Sequence, residues 1–366
     1  MTAINSEMLA EFIQEIAVPD PTFLQQARTH LDHLTKPPGS LGRLEDIAAR
    51  LIAIQKGIPD WPLHKAAYVF AADHGIVAEG VSAYPKEVTW QMVLNFLREG
   101  AAINVLARLH LAELTVVDVG VDADFGVDFG DLPGLLRRKI RLGTRNMLHE
   151  PAMTEGEMLE ALQIGLELAT GAHEKAQTLI AAGEMGIGNT TSASAITAVL
   201  TRQPPALVTG RGTGLEKRAH EHKISVVDAV MQKHFGPDLR ISDAQPLEIL
   251  RRVGGLEIAA MVGLFLGAAR YQIAVITDGF ISTAAAALAY AIAPPVKQYL
   301  FAGHCSQEPG HRFLLEYLGL DPVLTLEMRL GEGTGAVLAM PIIESAVRLY
   351  TDMATFASAG VSGPSE

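Results

Sequence analysis

The chain has 366 residues, 41 of them Asp or Glu and 29 Lys or Arg, giving a formal charge of −12. Hydrophobic residues make up 49%, enough to bury a large core, which excludes a disordered chain; the acidic balance excludes a dedicated nucleic-acid binder, which needs clustered Lys and Arg. With one cysteine, Cys305, intramolecular disulfides and thiolate metal cages are excluded as well.

The first 60 residues read as helices. Met8, Leu9, Phe12, Ile13 and Ile16 recur at helical spacing over Ser6 to Val18, and Pro19 and Pro21 end that run. A second helix is predicted from Thr22 to Leu34. After the breaker Lys36-Pro37-Pro38-Gly39, Ser40 is placed to cap a third, with Leu44, Ile47, Leu51 and Ile54 on one face. The N-terminus carries Glu7 and Glu11 but no basic region, so no secretory signal is read and the expected location is the cytoplasm.

From residue 66 short apolar runs alternate with helical stretches. Strands are predicted at Ala66 to Ala72, Leu114 to Val119, Thr178 to Ala182, Ile273 to Thr277 and Gln298 to Ala302. Helices are predicted at Val88 to Leu109, Glu157 to Ala172, Thr190 to Leu200, Leu247 to Leu266, Thr283 to Ile292 and Pro341 to Ala357, and Thr154 with Glu157 forms a capping box. Near-continuous apolar strands separated by helices indicate an α/β fold whose parallel sheet is covered on both faces. The most apolar region, Leu256 to Pro295, is interrupted by Arg270 and Asp278, so it reads as core rather than membrane span. The tail beyond the last helix is rich in Gly and Ser.

Each predicted strand ends in polar or glycine residues: Asp73-His74-Gly75, Asp118-Val119-Gly120, Gly183-Glu184-Met185-Gly186, Asp278-Gly279, and Gly303-His304-Cys305-Ser306. Turns favour such residues anyway, but ligands of open α/β sheets bind beyond the carboxyl ends of the strands, and five such ends on one rim point to a site. Gly183 to Ser192, with Gly186, Gly188 and Asn189, follows a strand and opens a helix, the arrangement that offers backbone N–H groups to a phosphate. It is neither a Walker loop nor a dinucleotide fingerprint, and Glu184 inside it suits a sugar hydroxyl or a ring better than a phosphate. A second loop, Thr209 to Gly214 with Gly212, and Lys223 on the helix after it, complete a candidate anion cradle. Glu332 stands between Gly331 and Gly333 before a helix: in an apolar pocket its raised pKa would suit a general base, and as a helix cap it would be mildly stabilising. Both readings stay open on the residues alone. Cys305 reads as inert lining rather than nucleophile, and the spacing of His304 and His311 fits no familiar metal pattern.

Lys36-Pro-Pro-Gly-Ser-Leu-Gly-Arg-Leu-Glu45, Ala72-Asp-His-Gly75, Gly80-Val-Ser-Ala-Tyr-Pro85, Gly183-Glu-Met-Gly-Ile-Gly-Asn-Thr-Thr191, Gly210-Arg-Gly-Thr-Gly214, Thr277-Asp-Gly-Phe280, Gly303-His-Cys-Ser306 and Leu330-Gly-Glu-Gly-Thr-Gly335 run in order along nearly the whole chain. Through them the sequence resembles the nicotinate-nucleotide–dimethylbenzimidazole phosphoribosyltransferase family. The resemblance implies a parallel Rossmann-like sheet in a large α/β domain over residues 63–325. It also implies a small helical domain built from both chain ends, residues 1–62 and 326–366, and a homodimer. It implies phosphoribosyl transfer from nicotinate mononucleotide to 5,6-dimethylbenzimidazole with inversion at C1′, in cobalamin biosynthesis, without cofactor or metal. Carried over by motif, Glu332 becomes the general base and Glu184 a group on the nucleotide side. Gly186, Gly188, Asn189, Gly212, Lys223 and Ser306 become the phosphate site, and Ser82, Tyr84 and Gln91 the walls of the aromatic pocket. Asp73, His74, Asp278 and His304 are further candidates. Two other classes compete: a metal-dependent hydrolase using Asp73, His74, Glu184, Asp278, His304 and His311, and a non-catalytic nucleotide binder, against which the presence of Glu332 counts.

Overall fold

The computed structural model describes residues 4–125, 132–212, 214–236 and 245–362. Seven parallel strands form one sheet: β1 (Lys65–Ala72), β2 (Ala112–Gly120), β3 (Leu135–Arg137), β4 (Leu179–Met185), β5 (Ala274–Thr277), β6 (Leu300–His304) and β7 (Pro322–Leu324). Their order is β3-β2-β1-β4-β5-β6-β7, so the direction of winding reverses between β1 and β4, where open α/β sheets bind ligands. β1 and β5 are buried throughout because helices cover both faces, which is why their sequences run apolar without alternation. The α/β expectation with a Rossmann-like parallel sheet therefore holds.

Three helices precede the sheet: α1 (Ser6–Gln14), α2 (Pro21–His33) and α3 (Arg43–Gln55). Ser40 does not cap α3. Gly39 and Gly42 take positive φ and turn the chain twice, and the Glu45 carboxylate reaches back to accept from the Leu41 N–H at 3.0 Å and from buried Lys36 at 2.9 Å.

The predicted helix over 88–109 is two, α4 (Val88–Leu97) and α5 (Ala102–Leu109). Glu99 adopts φ +59° before Gly100, and Asn104 fastens the break, accepting from the Ala101 N–H and donating to the Phe96 carbonyl. After α6 (Glu155–Glu174), with the expected Thr154–Glu157 box, come α7 (Asn189–Thr201), α8 (Pro205–Val208) and α9 (Lys217–Phe235). The predicted helix over 247–266 likewise divides at Gly254-Gly255 into α10 (Pro246–Val253) and α11 (Leu256–Arg270). α11 is buried on all sides, and it packs backbone to backbone on α6. A Cβ on Gly165 or Gly263 would overlap carbonyls of the facing helix, so glycine permits the contact. That packing, not a lipid bilayer, accounts for the apolar run; among the described residues no helix is long and apolar enough to cross a membrane.

α12 (Phe280–Ile292) and α13 (Pro309–Leu318) follow, and then α14 (Thr334–Asp352), which begins seven residues before the predicted start. Pro341 sits inside α14 rather than opening it; burial of Ala336, Val337, Met340 and Ile343 outweighs the loss of one helical hydrogen bond. The two chain ends meet: the Thr35 N–H donates to the Ala354 carbonyl at 2.9 Å, and His30 Nε2 bonds the Tyr350 carbonyl at 3.0 Å. A last turn, α15, covers Phe356–Ala359. Thr213 of the second glycine loop and the last four residues of the Gly- and Ser-rich tail lie outside the described residues.

Candidate active site

A cavity of about 470 Å³ opens at the carboxyl ends of β4, β5 and β6. Glu184, Gly186, Asn189, Gly212, Ser306, Tyr84, His304 and Glu332 all line it, so motifs from separate stretches of sequence converge. The starts of α7 (Asn189, Thr190), α12 (Phe280, Ile281) and α13 (Glu308) contribute lining as well. Helix N-termini bring unpaired N–H groups and positive potential, which favour an anion. Lys223 lies behind this wall, nearly fully buried. Its Nζ donates to Thr190 Oγ1 at 2.7 Å, and a Cβ on Gly212 would come within 3.1 Å of Nζ. Burial lowers the Lys223 pKa to about 8, with the Glu308 charge opposing that. An anion seated at Gly212 would complete its coordination. Arg329 spans the two loops, its guanidinium donating to the Gly212 carbonyl at 3.3 Å.

Glu332 stands at φ +65°, in the left-handed region, between Gly331 and Gly333, both also left-handed. The tight turn brings its carboxylate to the cavity while its backbone lies on β4. A Cβ on Gly183 would sit 2.5 Å from the Glu332 carbonyl and the Gly333 nitrogen. Gly183→Ala is therefore expected to push the Glu332 turn outward, costing about 1–3 kcal/mol of stability and lowering turnover, read as a drop in Tm together with kcat. Burial raises the Glu332 pKa to about 7; the Ile103 backbone N–H opposes this and the Asp278 charge adds to it. Its Oε2 is buried without a hydrogen-bond partner. Glu184 is pushed well above the usual carboxylate range by burial first and then by the charges of Glu257, Asp278 and Glu332. Asn189 Nδ2 donates to Glu184 Oε2. Two carboxyls so placed cannot easily both ionise.

Asp278 lies behind the Glu332 turn. Oδ2 accepts from the Gly333 N–H at 3.0 Å, and Oδ1 from those of Gly335 and Ala336 at 2.7 and 3.0 Å. His304 Nε2 is 3.8 Å from Oδ1. Burial raises the Asp278 pKa, and the His304 charge and the three N–H groups oppose that rise.

Other predicted residues do not reach the cavity. Gly188 lies one layer back: a Cβ there would press on Val77 and His74. Asp73 accepts from Thr89 Oγ1 at 2.6 Å and from the Asp122 N–H at 2.7 Å, and Thr89 Oγ1 in turn accepts from the Ile187 N–H. Asp73 thus braces the first glycine loop from behind. His74 bridges Ser192 Oγ at 3.1 Å and Glu257 Oε1 at 2.6 Å, tying β1 to α7 and α11. Ser82 Oγ accepts from the Tyr84 N–H at 3.1 Å and shapes the turn that carries Tyr84. Gln91 faces solvent; on the same helix Val88 and Met92, four apart, line the cavity instead. His311 is buried, its Nδ1 accepting from the Ser306 N–H and its Nε2 bonding Thr283 Oγ1. Burial lowers its pKa to about 3, with the His304 charge acting in the same direction, so it is a neutral strut for the Ser306 loop. Among the described residues no group of three or more His, Cys, Asp or Glu could hold a metal ion; the six ligands of the hydrolase alternative do not gather.

The apolar side chains Val88, Met92, Met185, Ile187, Phe280 and Ile281 escaped the sequence reading, as did Arg329 and Glu308 as lining residues. The helical spacing of Val88 and Met92, and the position of Arg329 directly before Leu330-Gly331-Glu332, are the signals that could have found them.

A family model described as a phosphoribosyltransferase matches residues 16–361. The protein from Geobacter metallireducens named nicotinate-nucleotide–dimethylbenzimidazole phosphoribosyltransferase is 50% identical over 354 residues, 97% of this chain and 98% of its own. This chain belongs to that phosphoribosyltransferase family. The Thermus thermophilus member with the same name is 50% identical over 94% of this chain and 99% of its own. A crystal structure described as CobT from Thermus thermophilus superposes with a TM-score of 0.87 at 49% identity, covering 94% of this chain and all of that one. The enzyme is accordingly a phosphoribosyltransferase, and the family's fold is the one described above.

Proposed function

We propose that the enzyme transfers the phosphoribosyl group of nicotinate mononucleotide to 5,6-dimethylbenzimidazole, releasing nicotinate and forming α-ribazole 5′-phosphate for cobalamin synthesis. The observation that carries this reading is Glu332. It is a buried carboxylate on the cavity wall with one oxygen unpartnered and a pKa of about 7, in a chain half identical to enzymes named for that reaction.

The chemistry follows from the side chains. One nitrogen of the benzimidazole attacks C1′ from the face opposite the nicotinate, and the C1′–N bond to the pyridinium breaks. The bonding pair returns to the nicotinate nitrogen, cancelling its positive charge, and the configuration inverts. The attacking ring must shed the proton on its other nitrogen, and Glu332 accepts it. Tyr84, Val88 and Met92 offer the flat apolar wall the base needs. Gly186, Asn189, Gly212 and Ser306 hold the 5′-phosphate, with Lys223 behind them. Burial and its anionic neighbours favour the acid form of Glu184, so Glu332 is the carboxyl of the pair that ionises near neutrality while Glu184 donates to a sugar hydroxyl.

The pH profile tests this. Because Glu332 must be ionised, kcat is expected to fall about tenfold per unit below about pH 7 and to level off above it, and NMR of the product should show the α anomer. A profile flat down to about pH 5 would remove Glu332 as the base, and a β product would remove inversion.

The helices at both chain ends are read as one small unit, supported by the contacts of residues 30–35 with 350–354. A cytoplasmic homodimer is proposed on the family resemblance, and light scattering of the purified protein measures its mass directly.

A further inference from the structure

One buried carboxylate at the rim has no task in the chemistry above. Asp278 ends β5 at full burial and does not line the cavity. All three backbone donors it gathers belong to Gly333, Gly335 and Ala336, the residues that follow Glu332 and open α14. Three N–H donors favour the ionised carboxylate and oppose the burial that raises its pKa. A Cβ on Gly335 would overlap the His304 ring, so that ring closes the pocket on the side of β6.

We propose that Asp278 is the positioning residue of the site, its carboxylate fixing the turn from which Glu332 faces the cavity. The inference rests on the reading of Glu332 as the base. It gives the aspartate two effects. The three hydrogen bonds hold the turn in its left-handed conformation. The charge also disfavours a second negative charge nearby and so keeps the Glu332 carboxylate basic. Glu184 at the end of β4 also acts on Glu332, His304 at the end of β6 lies beside Asp278 and lines the same cavity, and α5 presents the backbone of Ile103. Glu257 of α11 acts on Glu184, and Glu308 and Arg329 line the same cavity.

The test compares wild type, Glu332→Gln, Asp278→Asn and Asp278→Glu in one assay of phosphoribosyl transfer across about pH 5 to 9. Asp278→Asn keeps an acceptor for Gly335 and Ala336 but turns an amide toward the Gly333 N–H and removes the charge. It is expected to lower kcat at least about tenfold, to leave KM for both substrates within about threefold, and to move the acid limb of kcat to lower pH. The direction follows because a negative charge that opposes ionisation of Glu332 is gone. Asp278→Glu keeps the charge but shifts the oxygens by one methylene; it should lower kcat with the acid limb unmoved. If Asp278→Asn does not fold, Asp278→Glu alone decides: wild-type kcat in the folded variant overturns the proposal. A purely structural Asp278 would lower Tm and the folded fraction without moving the limb, which also overturns it. The reading beneath it is separable: if Glu332→Gln retains turnover, the general base is wrong. If Glu332→Gln is inactive while Asp278→Asn keeps the wild-type limb, only the positioning role fails.

Discussion

Glu332→Gln is expected to lower kcat by about 10²–10⁴-fold while KM for nicotinate mononucleotide changes by no more than about threefold. Glutamine fills the same space and keeps the left-handed turn between Gly331 and Gly333, but its amide cannot take the proton that the acceptor base must lose. The same substitution has a second, independent consequence for stability. Glu332 carries a folded-state pKa of about 7 against an ordinary 4.5. A raised carboxyl pKa means the unfolded chain ionises first, so stability present below pH 4.5 is lost as pH rises through about 7. The loss is on the order of 3 kcal/mol. Glutamine carries no such cost. The variant should therefore melt above wild type at about pH 8 and with it at about pH 4, as followed by calorimetry. Equal melting temperatures on the alkaline side would mean that Glu332 is not held in a medium hostile to its charge.

The second large effect falls on Lys223→Ala. The ammonium is buried against Thr190 and beneath Gly212, with one hydrogen bond made and the remaining donors available to an anion. A charge-assisted bond to phosphate contributes about 1.5–3 kcal/mol. KM for the mononucleotide is therefore expected to rise roughly 10–150-fold, with a much smaller change in KM for the benzimidazole. Equal rises for the two substrates would point to collapse of the pocket instead, and no rise would remove Lys223 from the phosphate site. Retained but reduced nucleotide affinity at about pH 9 in the wild type would agree with a lysine whose burial has lowered its pKa to about 8.

Much of this site was legible in the sequence because its chemistry sits in glycine-rich strand ends. A strand of the central sheet must be apolar on both faces, so the first polar residue after each apolar run marks where the chain leaves the core. Glu184, His304 and the Asp278 turn were visible in that way, and Glu332 stood out between two glycines. Other features leave no such local mark. Gln91 and Ser82 were assigned to the base pocket through motif resemblance, yet the phase of α4 turns Val88 and Met92 inward. Helical spacing continues smoothly across Gly100 and Gly254, so only the structure shows two breaks there. Edge strands β3 and β7, three residues each, are too short for an apolar pattern to register. Asp73 and His74 looked like site residues because they end a strand, but tertiary partners on α4, α7 and α11 make them braces of the glycine loop. No local signal in the sequence distinguishes a brace from a ligand.

In the proposed reaction this cavity joins a mononucleotide's ribose to a benzimidazole through Glu332. The most direct measurement incubates the purified enzyme with nicotinate mononucleotide and 5,6-dimethylbenzimidazole and follows both products by chromatography, beside Glu332→Gln. The wild type is expected to yield nicotinate and α-ribazole 5′-phosphate in equal amounts, and the variant little of either. Nicotinate without ribazole phosphate, or equal turnover by a folded Glu332→Gln, would contradict it.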